Sequence, residues 1–401
     1  MQPCTIQESH PLNFQLLILM ASSIFIASPI LFLILFHLLL ATEPVSVLSR
    51  TTETLFRANT TRASSSNASN ESLVKANLKE VYTMTLAVGT PPVPITVVMD
   101  TGSDLIWIKC NSENFPSPFD ASMSSSFSEV DDENCDRLGL SGCQTKYQSG
   151  MSVNVSLGRE TLTTWDNKEH PGVIFGCGIP SDTNFHYDGI VGLGRGKSSL
   201  VSQLKLPFLP SISYCIPGSK VISAFPYSNV QMIPLREQGG QSYYYISLEG
   251  ISVGETRLPV TNVDFANANG DGGMIIDSGT TFTFLERRIV DMIYNEFLNQ
   301  TKLKRYDGDP PFNDDLQNCF NTPYNVEIIP KLIFHFEGAN WELPSEYYIY
   351  EEDGVGVACL AIVANPDDEK VSIFGYRQQQ SMSVTYDLQE NYLVLMPRIC
   401  N

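Results

Sequence analysis

The sequence predicts a mainly β protein made of two lobes related by a pseudo-twofold axis. Three observations carry this expectation. Short apolar or alternating runs recur between Gly- and Pro-rich turns, and few stretches have helical spacing. The run Val98-Met99-Asp100-Thr101-Gly102-Ser103 has a counterpart in Ile275-Ile276-Asp277-Ser278-Gly279-Thr280. Each half then carries a second apolar-Gly element downstream, Val191-Gly192 in one and Phe374-Gly375 in the other. Halves that rhyme in this order suggest duplication of one lobe, with the two Asp residues placed by the symmetry.

The chain has 401 residues, enough for a leader and two lobes of ordinary domain size, and 43% of them are apolar, enough for a sizeable core. A net charge of −19 argues against nucleic acid as a partner, because phosphate binding needs clustered Lys and Arg. It suits solubility in a mildly acidic compartment. Of nine cysteines, Cys4 precedes an apolar leader and the rest follow it. An even number behind a leader fits a disulfide framework, and no CxxC pair suggests zinc. Sequons at Asn59, Asn67, Asn70, Asn154 and Asn299 are glycosylation candidates on a secretory route.

Taken in order, Leu16 to Ala41 is almost wholly apolar and longer than an ordinary signal-peptide core. Residues 1–41 therefore read as a signal peptide or a signal anchor. Residues 42–77 are rich in Ser, Thr and Asn and cannot build a core, so they read as a short propeptide or linker. A first lobe spans 78–235. Its alternating run Tyr82–Val88 and the run Pro94–Met99 read as strands around the turn Gly89-Thr90-Pro91-Pro92. The stretch 111–150 is loop-rich. Strands follow at Met151–Leu157, Glu160–Thr164 and Val173–Gly178, and Ser198–Leu204 has helical spacing. Gly189–Gly196 is glycine-rich, but it lacks both the GK[ST] ending and dinucleotide spacing, so nucleotide binding is not expected.

A second lobe spans 236–401. Tyr243–Val253 reads as a strand pair or one bent strand, and Met274–Ile276 delivers Asp277. Ile289, Val290, Ile293, Tyr294, Phe297 and Leu298 recur at the spacing of one helix face. Ile328–Phe336, Tyr347–Tyr350, Val357–Val363, Val371–Phe374 and the alternating segment Ser383–Met396 read as strands.

The Asp motifs carry the chemistry. Each Asp stands at a strand end on a glycine turn, with hydroxyls beside it. If the two meet, they cannot both ionise easily, and they share a proton. One carboxylate then takes a proton from a water while the other carboxyl polarises a carbonyl, with no covalent intermediate. Ser103 and Thr280 are placed to hold the carboxylates in plane, Thr101 and Ser278 to brace the turns, and Gly102 and Gly279 to let them form. The five histidines are His10, His37, His170, His186 and His335. There is no GxSxG elbow and no HExxH, and nothing announces a Ser–His–Asp triad. A metal held by two Asp residues would want further ligands, and no acidic or His repeat supplies them.

The segments Asp100-Thr101-Gly102-Ser103-Asp104-Leu105-Ile106-Trp107 and Ile276-Asp277-Ser278-Gly279-Thr280-Thr281 resemble the two active-site signatures of pepsin-like aspartic peptidases. Phe175-Gly176-Cys177-Gly178, Ser213-Tyr214-Cys215, Tyr244 to Gly254 and Ser372-Ile373-Phe374-Gly375 resemble the plant nepenthesin-type branch. The resemblance runs from about Tyr82 to Cys400. It implies a bilobal pepsin-like acid protease fold with a central cleft, and Asp100 and Asp277 as the dyad. It also implies a flap whose Tyr147 hydrogen-bonds towards Trp107. An acidic optimum, protein or peptide substrates with apolar residues at the cut, and no cofactor are expected. A monomer is expected, in the extracellular space (apoplast) or the vacuole, or membrane-anchored through residues 16–41. The cysteines are assigned as local loops Cys135–Cys143 and Cys319–Cys359 and long links Cys215–Cys400 and Cys110–Cys177, although sequence does not fix connectivity.

Three departures from the branch stand out. Gln148-Ser149-Gly150-Met151 replaces the usual Gly-Asp-Gly-Ser after the flap tyrosine, and Tyr376 replaces an Asn. The cysteine-rich insert after the first signature is thinned to Cys110. The alternative function is a catalytically silent binding or inhibitor protein on the same scaffold.

Overall fold

A computed structural model describes residues 61–62, 81–110, 117–131, 133–140, 143–147, 150–164, 167–182, 185–204, 211–218, 230–236, 242–265, 274–312, 314–321, 329–351, 355–366, 371–397 and 400. They belong to a unit running from Glu53 to Asn401. The leader, most of 42–77, the sequons at Asn59, Asn67 and Asn70, and Gln148-Ser149 lie outside the described residues. Among the described residues, no helix is long and apolar enough to cross a membrane.

Among the described residues strands dominate, arranged in two nine-stranded and two four-stranded sheets. The first large sheet collects the strands from Thr61–Arg62 to Gly189–Gly192. The second takes in Ser211–Ile216 and the strands around Asp277. Chain position alone assigns Ser211–Ile216 to the first lobe. It pairs instead with Met382–Asp387, Ser211 opposite Asp387, and buries Ile212, Tyr214 and Ile216 there. Alternation sets which face of a strand is buried, but it does not choose the partner.

The two halves share one local topology. Val93–Asp100 pairs parallel with Gly189–Gly192, Asp100 opposite Gly192, and Met274–Ile276 pairs parallel with Ser372–Phe374. A third strand lies antiparallel to each of these partners, with Trp107 opposite Ile190 in one half and Phe284 opposite Ile373 in the other. The third strands then pair parallel with a fourth, Trp107 opposite Gly176 and Phe284 opposite Val363. Gly192 and Gly375 sit where this arrangement closes. A Cβ at Gly192 would run into the Asp104 backbone, and one at Gly375 into the Phe282 carbonyl.

The long helix spans Arg287–Thr301 and buries Ile289, Val290, Ile293, Tyr294 and Phe297. Each such side chain stabilises the fold by about 1.5–3 kcal/mol. The helix ends where Lys302 turns left-handed at φ 59° and returns its N–H to the Leu298 carbonyl. Tyr243–Val253 resolves into two strands, Tyr245–Ile246 and Leu248–Val253, and the C-terminal segment into the hairpin Met382–Asp387 and Tyr392–Pro397. The Tyr347–Tyr350 expectation needs correcting. Tyr347 and Tyr348 lie on a helical turn, Ser345–Tyr348, and the strand is Ile349–Glu351. Both tyrosines are buried, and strand alternation would have turned one of them outward.

Disulfides join Cys110 to Cys177, Cys135 to Cys143, Cys215 to Cys400 and Cys319 to Cys359. Cys215–Cys400 closes a sequence separation of 185 residues. Chain-entropy reasoning gives a link of that length about 4–5 kcal/mol. The double change Cys215→Ala/Cys400→Ala is expected to lower the urea midpoint by a corresponding amount. Unchanged unfolding curves would refute it. Asn154 and Asn299 are both exposed.

Candidate active site

Asp100 is the last residue of its strand, and Asp277 follows directly on Met274–Ile276. Both residues are buried, about 6% exposed. The two turns are near copies. Gly102 N–H donates to Asp100 Oδ1 at 2.9 Å, and Gly279 N–H donates to Asp277 Oδ1 at 2.8 Å. Ser103 Oγ donates to Asp100 Oδ2 at 2.5 Å, and Thr280 Oγ1 donates to Asp277 Oδ2. Each carboxylate is thus held by one amide and one hydroxyl from its own turn.

Thr101 and Ser278 brace the turns across the halves rather than within them. Thr101 N–H donates to Ser278 Oγ at 3.1 Å, and Ser278 N–H donates to Thr101 Oγ1 at 2.9 Å. Each hydroxyl then donates onward to a carbonyl of the opposite strand, Ser278 to Met99 at 3.0 Å and Thr101 to Ile276 at 3.4 Å. The glycines are crossed in the same way. A Cβ on Gly102 would lie 2.6 Å from Asp277 Oδ2, and one on Gly279 would run into Asp100 Oδ1. Gly here serves close approach, and neither residue has a positive φ.

Burial holds Asp100 well above the usual carboxylate range, and the neighbouring Asp277 charge raises it further. The bonds from Ser103 and Gly102 pull the other way without cancelling this.

Tyr147 stands over this pair at the end of the strand Gln144–Lys146, which pairs with Ser152–Thr163. The hairpin turn is closed by Tyr147 N–H to Met151 O and Gly150 N–H to Tyr147 O, both 2.9 Å, with Gly150 at φ 83°. The Cys135–Cys143 link ties its base. Trp107 Nε1–H donates to the Tyr147 hydroxyl at 2.7 Å, so the indole is the donor. The Asp100 charge reaches the same phenol, which places the flap tyrosine beside the dyad. Burial, and then the Asp100 charge, hold the Tyr147 phenol well above its ordinary value. Trp107→Phe keeps the buried ring but deletes the donor. At about 1 kcal/mol for the net bond, kcat/KM for peptide hydrolysis is expected to fall about fivefold to tenfold. An unchanged value would remove the indole from the flap assignment.

Beneath the turns lies a buried polar cluster that sequence reasoning missed. Tyr386 OH lies within reach of both Thr101 Oγ1, at 3.4 Å, and Tyr214 OH, at 2.9 Å, and its one proton serves one of them at a time. Tyr214 OH donates to Gln379 Oε1 at 2.6 Å, and Gln379 Nε2 donates to the Asp277 and Phe374 carbonyls. The one local signal was the uncharged run Gln378-Gln379-Gln380 beside Phe374-Gly375; all three are buried. Tyr376 packs its ring edge-on against Tyr82 at 4.8 Å, and its N–H donates to the Thr280 carbonyl.

Two family models match the chain: "Xylanase inhibitor N-terminal" over residues 82–225 and "Xylanase inhibitor C-terminal" over 243–396. Aspartic proteinase nepenthesin-1 of Nepenthes gracilis is 36% identical over 76% of this chain and 75% of its own. Nepenthesin-2 of the same plant is 31% identical over 80% and 78%. Aspartyl protease family protein 2 of Arabidopsis thaliana is 32% identical over 80% and 71%. Two Asp turns gripped across a twofold and relatives of this extent lead to one assignment: the chain belongs to the pepsin-like aspartic protease family, in its plant nepenthesin-type branch.

Proposed function

We propose that the chain is an aspartic endopeptidase that activates water between Asp100 and Asp277, with Tyr147 and Trp107 forming the lid over the bound peptide. The observation that carries this reading is the crossed bonding of the two turns, which brings two buried Asp residues close enough for the Asp277 charge to raise Asp100. Asp100 carries the shared proton and donates it in a hydrogen bond to the scissile carbonyl. Asp277 takes a proton from the water, whose oxygen adds to the carbonyl carbon to give a gem-diol. A proton then passes to the amide nitrogen, and the C–N bond breaks. The raised Asp100 value supports an acidic optimum, since the reaction needs one proton on the pair.

The setting is proposed to be the secretory pathway, with a monomer delivered to the extracellular space or vacuole and glycosylated at Asn154 and Asn299. N-terminal sequencing of the mature protein distinguishes release after residue 41 from anchoring through residues 16–41.

The test is cleavage of a denatured protein by the propeptide-free chain at acidic pH, with and without pepstatin. Pepstatin-sensitive cleavage that disappears in Asp100→Asn is expected. Cleavage indifferent to either would sink the reading. A second reading, a silent inhibitor on the same scaffold, is favoured by the inhibitor descriptions of both matching family models. No turnover at any pH, together with inhibition of a xylanase, would select it.

A further inference from the structure

A second constellation of catalytic residue types lies on the four-stranded sheet formed by Leu248–Val253, Thr256–Arg257, Leu332–Phe336 and Ala339–Leu343. Ser252 Oγ is 2.8 Å from His335 Nε2, and His335 Nδ1 is 2.6 Å from Asn340 Oδ1. An amide oxygen only accepts, so Nδ1 carries the ring proton. In the neutral ring Nε2 is then a free lone pair, and the Ser252 hydroxyl donates to it. Nucleophile, base and orienter stand in the order that activates a serine.

Strand register explains the grouping. His335 lies opposite Gly250 on one side and Asn340 on the other, while Arg257 lies opposite Ser252. Directly opposed residues share a face, so all of them sit on one side of this sheet. The Arg257 guanidinium occupies the space that a side chain at Gly250 would fill, and its Nη2 donates to the Glu249 carbonyl at 3.2 Å. Burial lowers the His335 pKa, and the Arg257 charge lowers it further against the pull of Asn340. The imidazole therefore stays a base into mildly acidic conditions. The face is solvent-side, with Arg257 and Asn340 exposed, and Ser252 keeps 7% of its surface open.

We propose that Ser252, His335 and Asn340 form a second hydrolytic site, in which the Ser252 hydroxyl attacks esters of short acyl groups. Ser252 Oγ bonds to the acyl carbon, the ester C–O bond breaks, and the serine proton passes through His335 Nε2 to the departing alkoxide. Water then adds to the acyl-serine, His335 takes its proton, and that proton returns to Ser252 as the acid leaves. Arg257 faces the carbonyl oxygen as its charge grows. Asn340 is a positioning residue that fixes the ring tautomer. This site is independent of the Asp100–Asp277 reading.

The test uses the full chain carrying Asp277→Asn, treated with diisopropyl fluorophosphate and mapped by peptide mass spectrometry. A phosphoryl adduct on Ser252 is expected, together with pepstatin-insensitive release of p-nitrophenol from p-nitrophenyl acetate. His335→Gln should slow labelling about 100-fold, the scale of a lost general base. Asn340→Asp, which keeps an acceptor on Nδ1, should retain it. No adduct on Ser252 of that chain, with a normal melting curve, overturns the proposal. Equal labelling of the His335→Gln and parent chains overturns it as well.

Discussion

The Asp277→Asn chain is expected to fold normally and to lose about 10⁴-fold in kcat for peptide hydrolysis at acidic pH. The amide oxygen still accepts from Gly279 N–H, and the Thr280 hydroxyl, which donated to Oδ2, can turn to accept from the amide NH2 that replaces it. What disappears is the group that takes the water proton. The paired change Asp100→Asn carries a further signature in stability. The folded-state pKa of Asp100 lies above its unfolded value, chiefly through burial. Its contribution is therefore fully present below the ordinary carboxylate range and is lost as pH rises through the raised folded value. Asp100→Asn cannot titrate. Its urea midpoint should fall less steeply towards neutral pH than that of the parent. Parallel midpoint-against-pH curves for the two chains would contradict this.

Thr101→Val is expected to cost about 2–5 kcal/mol and to reduce activity together with stability. The change keeps volume and branching, so the packing term is small. It deletes Oγ1, which accepts from Ser278 N–H and Tyr386 OH and donates to the Ile276 carbonyl. All of these groups are buried, and an unsatisfied buried donor costs about 1–3 kcal/mol. Thr101→Ser, which restores the hydroxyl, should recover most of the loss. The check is urea unfolding of both variants beside kcat. A stable, fully active Thr101→Val chain would show that the grip does not hold the turns.

Much of this is legible in the sequence because it is local. A strand delivering Asp onto a glycine turn, a helix with a 3.6-residue stripe, and the two-half rhyme are each written in contiguous residues. The Trp107–Tyr147 bond was accessible through family resemblance rather than through spacing. What escaped depends on partners distant in sequence. Ser211–Ile216 reads as a strand, but its choice of Met382–Asp387 as neighbour is a tertiary decision. Tyr214, Tyr386 and Gln379 look like ordinary core or surface residues until folding brings them beneath Thr101. Tyr347 and Tyr348 mimic a strand because aromatic residues are common there, yet both are needed inside. His335 passed as an unremarked histidine because its serine lies 83 residues away.

The crossed glycines carry a consequence for inheritance. The space that Asp277 needs is kept open by Gly102, and the space that Asp100 needs by Gly279. Damage at either glycine is therefore felt first by the carboxyl encoded in the other half of the gene. A duplicated lobe usually frees one copy to wander. Here neither copy can drift alone at these positions, and substitutions tolerated in one turn are expected to be accompanied by compensating changes in the other.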